Sequence, residues 1–192
     1  MRRLPQKIGK PKKIFPEQYG KSLEEQQFKN PKNGKKYKYI FFTGKTSSLI
    51  FPLTEKYEVI AIDQYRYAAD GIFRELPGGN PKYPGQSPEE TLREELLEET
   101  GYRAEKIILV KKGLWFEPSS VKATYNVYLG LGCKKVAEPK PDSNEYIFRI
   151  NLIPLKEWVV KTLPTLKDNK TIAASILAIL KLGIKLQFPS RK

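Results

Sequence analysis

The sequence contains no histidine. That excludes imidazole general bases, histidine metal ligands and Ser-His-Asp triads. The single cysteine, Cys133, cannot close an intramolecular disulfide or build a cysteine zinc site. Negative charge is scarce: 21 Asp and Glu stand against 35 Lys and Arg, a net charge of +14. A long apolar run is also missing, since the longest, IAASILAIL at residues 172–180, is too short to span a bilayer. Arg2 and Arg3 lead into LPQKIGKPKK and not into an apolar segment. No secretory signal and no membrane attachment are therefore expected, and the expected location is cytoplasmic. Any acid–base or metal chemistry must rest on carboxylates.

What the chain does have is length enough for one domain with a proper core. Residues 1–35 are rich in Lys, Pro and Gly, with Glu17, Glu24 and Glu25 as their acids. They read as a basic, loosely attached arm carrying a hairpin, followed by a main domain over residues 36–192. The Asn33-Gly34 pair in PKNGKK predicts a tight turn, because Asn-Gly tolerates the positive φ such turns require. Short β-branched or aromatic runs then follow one another: KYKYIFFTG, SSLIFPLT, YEVIAIDQYRY and IFRELPGG. After a helical stretch come KIILVKKGLWF, VKATYNVYLGLG and EYIFRINLIP. Ile172, Ile176, Ile179 and Leu180 recur at three- and four-residue spacing and predict a closing helix over about 168–183. The pattern predicts an α+β fold, an α/β/α sandwich with a mixed, mostly antiparallel sheet.

The informative segment is GGNPKYPGQSPEETLREELLEETGY. Ser87, Pro88 and Glu90 form a capping box with proline at the first helical position, and Gly101 suits a left-handed cap. A helix over about 88–100 follows. At 100° per residue, Leu92, Leu96, Leu97 and Thr100 fall on one side and Glu94, Glu95, Glu98 and Glu99 on the other. Like charges four residues apart cost a helix about 0.2–0.5 kcal/mol per pair. No basic residue interleaves on that face, although Lys and Arg abound elsewhere. Glu95, Glu98 and Glu99, at i, i+3 and i+4, converge on one point that suits a hard divalent cation.

This segment resembles the Nudix box, G-x5-E-x7-R-E-U-x-E-E-x-G-U with U aliphatic. The flanking DQYRYAADGIFRELPGG is similar to the ADP-ribose pyrophosphatase branch of that family. The resemblance implies the Nudix fold and a Mg²⁺ or Mn²⁺ cofactor held by Glu95, Glu98 and Glu99, with the Gly78 carbonyl often joining them. It implies that Arg66 contacts a substrate diphosphate, that Glu75 either helps hold metal or substrate or anchors the turn before Gly78, and that Glu145 in SNEYI or Glu98 is the catalytic base. It also implies a homodimer built through the N-terminal region, where Phe28, Tyr37 and Tyr39 are available for stacking on a base.

Three positions depart from the box. Glu94 stands where the box has Arg, Gln86 stands where it has its first Glu, and the stretch from Gly79 to Gln86 is one residue longer. An Arg at 94 would face Glu98 one turn away and hold it. Glu94 is expected to repel Glu98 and raise the carboxylate pKa values, and Arg93 projects the wrong way to substitute. The expected function is metal-dependent hydrolysis of the diphosphate in a nucleoside diphosphate sugar, with ADP-ribose giving AMP and a sugar phosphate as the first choice. The alternative is a catalytically weakened Nudix-fold module that binds nucleotide or RNA; nucleic acid is the less favoured partner.

Overall fold

This computed structural model describes residues 4–18 and 20–184, so the outer ends of the two expected segments, residues 1–3 and 185–192, lie outside the described residues. Contacts divide the chain into two compact units, one of Met1–Thr46 with Gly113–Tyr125 and one of Ser47–Lys112 with Asn126–Lys192. The strands in chain order are β1 Gln6–Gln18, β2 Lys21–Lys29, β3 Lys36–Thr43, β4 Ser47–Thr54, β5 Glu58–Arg66 and β6 Gly71–Glu75. They continue with β7 Gly78–Gly79, β8 Tyr102–Arg103, β9 Lys106–Glu117, β10 Val121–Lys135 and β11 Ile147–Pro154.

The first unit is an antiparallel meander of β1, β2 and β3, with β3 running parallel to the start of β10 at Val121 and Lys122. The expected loose arm is therefore mostly strand, because β1 finds in β2 a partner for its backbone hydrogen bonds. The turn at Asn33-Gly34 is also longer than a two-residue hairpin. Gly34 alone takes positive φ, while the side chains of Asn30 and Asn33 accept from the backbone N–H of Lys32 and Lys35. Tyr37, Tyr39 and Phe41 alternate along β3 and so share one face. With Phe28, Trp115 and Lys122 they help line a groove of about 620 Å³, in which Phe28 meets Tyr39 edge-on at 5.5 Å.

In the second unit the strand order is β10-β4-β5-β11, with β6 on β5, β7 on β4 and β8 and β9 on β10. The sheet is a near-continuous apolar run through β4 and β5, where Ile50, Phe51, Leu53, Val59, Ile60 and Ala61 are all buried, as a sheet covered on both faces requires. Ile50 and Phe51 are consecutive and point to opposite faces. Ile50 clusters with Ile60, Leu92 and Leu96 under the helix Pro88–Thr100. Phe51 packs edge-on against Trp158 at 6.1 Å, whose indole N–H donates to Ser175 of the closing helix Asn169–Lys181 at 3.1 Å. One helix thus covers each face, which is the expected sandwich.

The closing helix turns a different face inward from the one its isoleucines predict. Thr171, Ala174, Ser175, Ala178 and Ile179 are buried, whereas Ile176 and Leu180 are exposed. Small side chains there let the helix approach the sheet and accommodate Trp158. The irregular helical stretch 155–165 that carries Trp158 has no periodic signal in the sequence and was not expected.

Candidate active site

The acidic helix begins and ends as its sequence dictates. The Ser87 hydroxyl accepts from the Glu90 N–H, the Glu90 carboxylate accepts from the Ser87 N–H, and Gly101 closes the helix at φ 77°. Its faces divide differently from the helical-wheel reading. Glu95 and Glu99 are buried alongside Leu92 and Leu96, while Glu94 and Glu98 lie on the half-exposed side with Leu97. Burial is decided by what the helix packs on, and here that is a pair of glycines. Gly78 and Gly79 form β7, paired to Ser48 and Leu49 of β4. A Cβ at Gly79 would stand 2.2 Å from Glu95 Oε1, and one at Gly78 would stand 2.3 Å from the Ser48 carbonyl oxygen. The bare backbone of Gly79 makes room for the Glu95 carboxylate, and that of Gly78 lets β7 lie close against β4. Of the Gly78 peptide groups, the N–H is the one aimed at an acid, donating to Glu99 Oε2 at 3.1 Å.

These carboxylates are hard to ionise. Burial first, then the Glu145 carboxylate and Glu98, push Glu95 up to about 7, against a pull from Lys82. Burial, Glu95 and Glu145 hold Glu99 well above the ordinary range, opposed by the Gly78 N–H and Arg66. Glu145 is itself raised, by burial first and by the charges of Asp142 and Glu98, with a backbone hydrogen bond at Asp142 and the charge of Arg66 opposing. Glu145 of the 136–146 connection therefore lies within electrostatic reach of the helix acids. Glu94, expected to raise its neighbours, is not among the causes. Its carboxylate accepts from Gln86 Nε2 at 2.9 Å, and burial and Glu145 do what was ascribed to it. Arg93 points away, as its position predicts, to the Ala104 carbonyl and Glu89.

Arg66 and Glu75 are brought together. Arg66, at the end of β5, grips Glu75, at the end of β6, in a two-pronged ion pair at 2.6 and 2.5 Å. Glu75 is buried and Arg66 is partly exposed, so the arginine keeps an open side while its orientation is fixed. Arg66 is also in electrostatic reach of Glu99 and Asp168. A second pair, Arg74 to Asp63 at 2.8 and 2.9 Å, ties the same two strands.

Glu98 has a partner that the sequence reading missed. Lys82 Nζ donates to both its oxygens, at 2.7 and 2.6 Å, and lies in reach of Glu95 and Asp142 as well. Nothing in the sequence marks Lys82 among 35 basic residues; only folding of the loop before the helix brings it here. Asp142, whose carbonyl accepts from the Glu145 N–H at 2.9 Å, was likewise unmarked. Among the described residues no three carboxylates already sit at the spacing of an assembled metal centre, and Glu98 is turned to the lysine. The donor set still fits a hard divalent cation. It consists of carboxylate oxygens alone, those of Glu95 and Glu99 being raised by burial and by their acidic neighbours, and the cation bonded to Glu98 is a lysine ammonium. Among the described residues no helix is long and apolar enough to cross a membrane.

The profile of the NUDIX domain matches residues 43–175. No curated protein sequence matches the chain. Among solved structures, the crystal structure of an ADP compounds hydrolase superposes with a TM-score of 0.76 at 17% identity, over 94% of this chain and 95% of that one. At that identity the likeness shows the fold, a mixed sheet with few helices.

Proposed function

Because the chain belongs to the NUDIX domain family, and is by family a Nudix hydrolase, we propose that it hydrolyses the diphosphate of a nucleoside diphosphate sugar, ADP-ribose first among them, to AMP and a sugar phosphate. The observation that carries this is the pair Glu95 and Glu99, buried against Gly78 and Gly79 with Glu145 and Arg66 in electrostatic reach. The solved neighbour is an ADP compounds hydrolase, which supports ADP as the nucleotide part.

Glu95 and Glu99 would hold Mg²⁺ or Mn²⁺, joined by Glu98 and the Gly78 carbonyl. When bound, such an ion neutralises diphosphate charge and lowers the pKa of an attacking water. This chain's own residues do the rest. Arg66, oriented by Glu75, faces phosphate oxygens with a charge that never titrates. Glu145 accepts the proton of the attacking water, since no histidine exists to do so. Burial and its acidic neighbours raise its pKa, which moves it toward the pH at which a general base works best. Glu98 is the second candidate for that step. In the N-terminal unit, Phe28, Tyr37 and Tyr39 are available for stacking on a base, and the segment before residue 36 would build a homodimer in the cytoplasm.

The test is product identification from a panel of nucleoside diphosphate sugars with Mg²⁺ and with Mn²⁺. AMP from ADP-ribose, lost in Glu99→Gln, is expected. Absence of any nucleotide product from the whole panel would sink the reading.

A further inference from the structure

The three departures from the box are one connected structure. Gln86 donates its amide N–H to Glu94 at 2.9 Å and accepts the backbone N–H of Lys82 at 2.7 Å. Lys82, held in this way, donates twice to Glu98. Gln86 is buried, while Lys82 and Glu98 are each about one-third exposed. The contacts therefore run Glu94, Gln86, Lys82, Glu98, and they draw on the longer loop between Gly79 and Gln86, the glutamine and the reversed charge.

We propose that Lys82 is a positioning residue that performs, from the loop, the task an arginine at position 94 would perform from the helix: it fixes the direction of the Glu98 carboxylate. Position 94 lies one turn before 98, where an arginine would form an i,i+4 pair with it. With glutamate there, bonded to Gln86, and Arg93 turned to Glu89, the helix offers Glu98 no cation of its own. The ammonium supplies one by bonding both oxygens. Its service is direction more than stability, since a partly exposed lysine–glutamate pair contributes about 0–1 kcal/mol. Gln86 matters because it fixes the Lys82 backbone and, being neutral, adds no competing charge to those that draw the lysine, Glu98 first among them. An acid at position 86 would have drawn the ammonium back toward its own loop and would have repelled Glu94.

The assignment rests on the metal-holding role proposed above for Glu98, and its test separates the two. Mn²⁺ binding to the full-length protein, without nucleotide, is followed by the electron paramagnetic resonance of free Mn²⁺. Lys82→Met is expected to weaken binding about 10–100-fold, the usual cost of removing a hydrogen-bonded support of a metal ligand. Lys82→Arg should keep wild-type affinity. Adding Glu94→Arg to Lys82→Met should restore it, which a merely structural lysine would not allow. In hydrolysis kcat should fall with Mn²⁺ affinity, while KM for the nucleotide sugar moves little. Lys82→Met that binds Mn²⁺ as tightly as wild type, or more tightly, overturns the assignment and makes the lysine idle or a competitor. Failure of Glu94→Arg to rescue also overturns it. Wild-type protein that takes up Mn²⁺ but hydrolyses nothing defeats the proposed substrate and leaves the Lys82 result standing. Wild-type protein that takes up no Mn²⁺ defeats the metal reading itself, and with it this assignment.

Discussion

Glu99 illustrates how one residue can serve function against stability. It is almost wholly buried, faces Glu95 and Glu145, and has the Gly78 N–H as its hydrogen-bond donor. Glu99→Gln is expected to reduce hydrolysis on the order of 100-fold or more, by analogy with the loss of one preorganised group. With chelator present, it should raise the melting temperature at pH 8, because it removes a carboxyl whose ionisation burial disfavours in the fold but not in the unfolded chain. Calorimetry beside the product assay checks both; a variant that loses activity and melts lower would refute the account. Glu95 gives the pH dependence. It ionises near 4.5 in the unfolded chain and at about 7 in the folded one. Between those values the folded state holds the extra proton, so stability from this group falls as pH rises through that window. The full effect is about 3 kcal/mol. In chelator, the stability of wild type relative to Glu95→Gln should therefore decline from pH 4.5 to 7, and added Mn²⁺ should reverse the decline.

At the scale of elements, the helix and the glycine strand form one device. Ser87→Ala removes the capping bond to Glu90 and should cost about 1 kcal/mol in denaturant unfolding, with little change in rate, since the carboxylates stay seated. Gly79→Ala is expected to do the reverse. Its Cβ would collide with the Glu95 carboxylate, so Mn²⁺ affinity should fall more than stability does. Gly78→Ala meets backbone at Ser48 and Leu49, which cannot move aside, and should cost more stability than Gly79→Ala. Equal loss of stability in the two alanine variants would refute this ordering.

At the scale of the whole molecule, the acids of the catalytic reading and the aromatic groove belong to different units. The first unit's residues include Glu17, Glu24, Glu25 and Glu117 as their acids, amid many lysines. A chain of net charge +14 should favour anionic substrates, so KM for a nucleoside diphosphate sugar is expected to rise with salt. Light scattering should give twice the chain mass. The mass of a single chain would refute the dimer while leaving the chemistry untouched.

The sequence by itself determined the local elements and the chemical type of the site. The longer strands β3, β4, β5, β6, β9, β10 and β11 follow alternation and apolar runs, the helix Pro88–Thr100 follows its capping box and glycine stop, and the want of histidine left carboxylates alone to act. These are short-range properties, written within a few residues. The same is true of the first strand's failure to be legible: β1 is rich in lysine and proline and becomes a strand by pairing with β2. Tertiary structure alone decided which face of each helix is buried, because burial depends on what lies opposite. Bare Gly79 seats Glu95 and the Gly78 N–H meets Glu99, and the Trp158 indole meets Ser175. It decided, too, that Glu94 meets Gln86 and that Glu98 meets Lys82, sixteen residues away. A charge on a long side chain acts through a few ångströms of space, and sequence spacing gives that distance only along a helix, not from a loop folded back upon it.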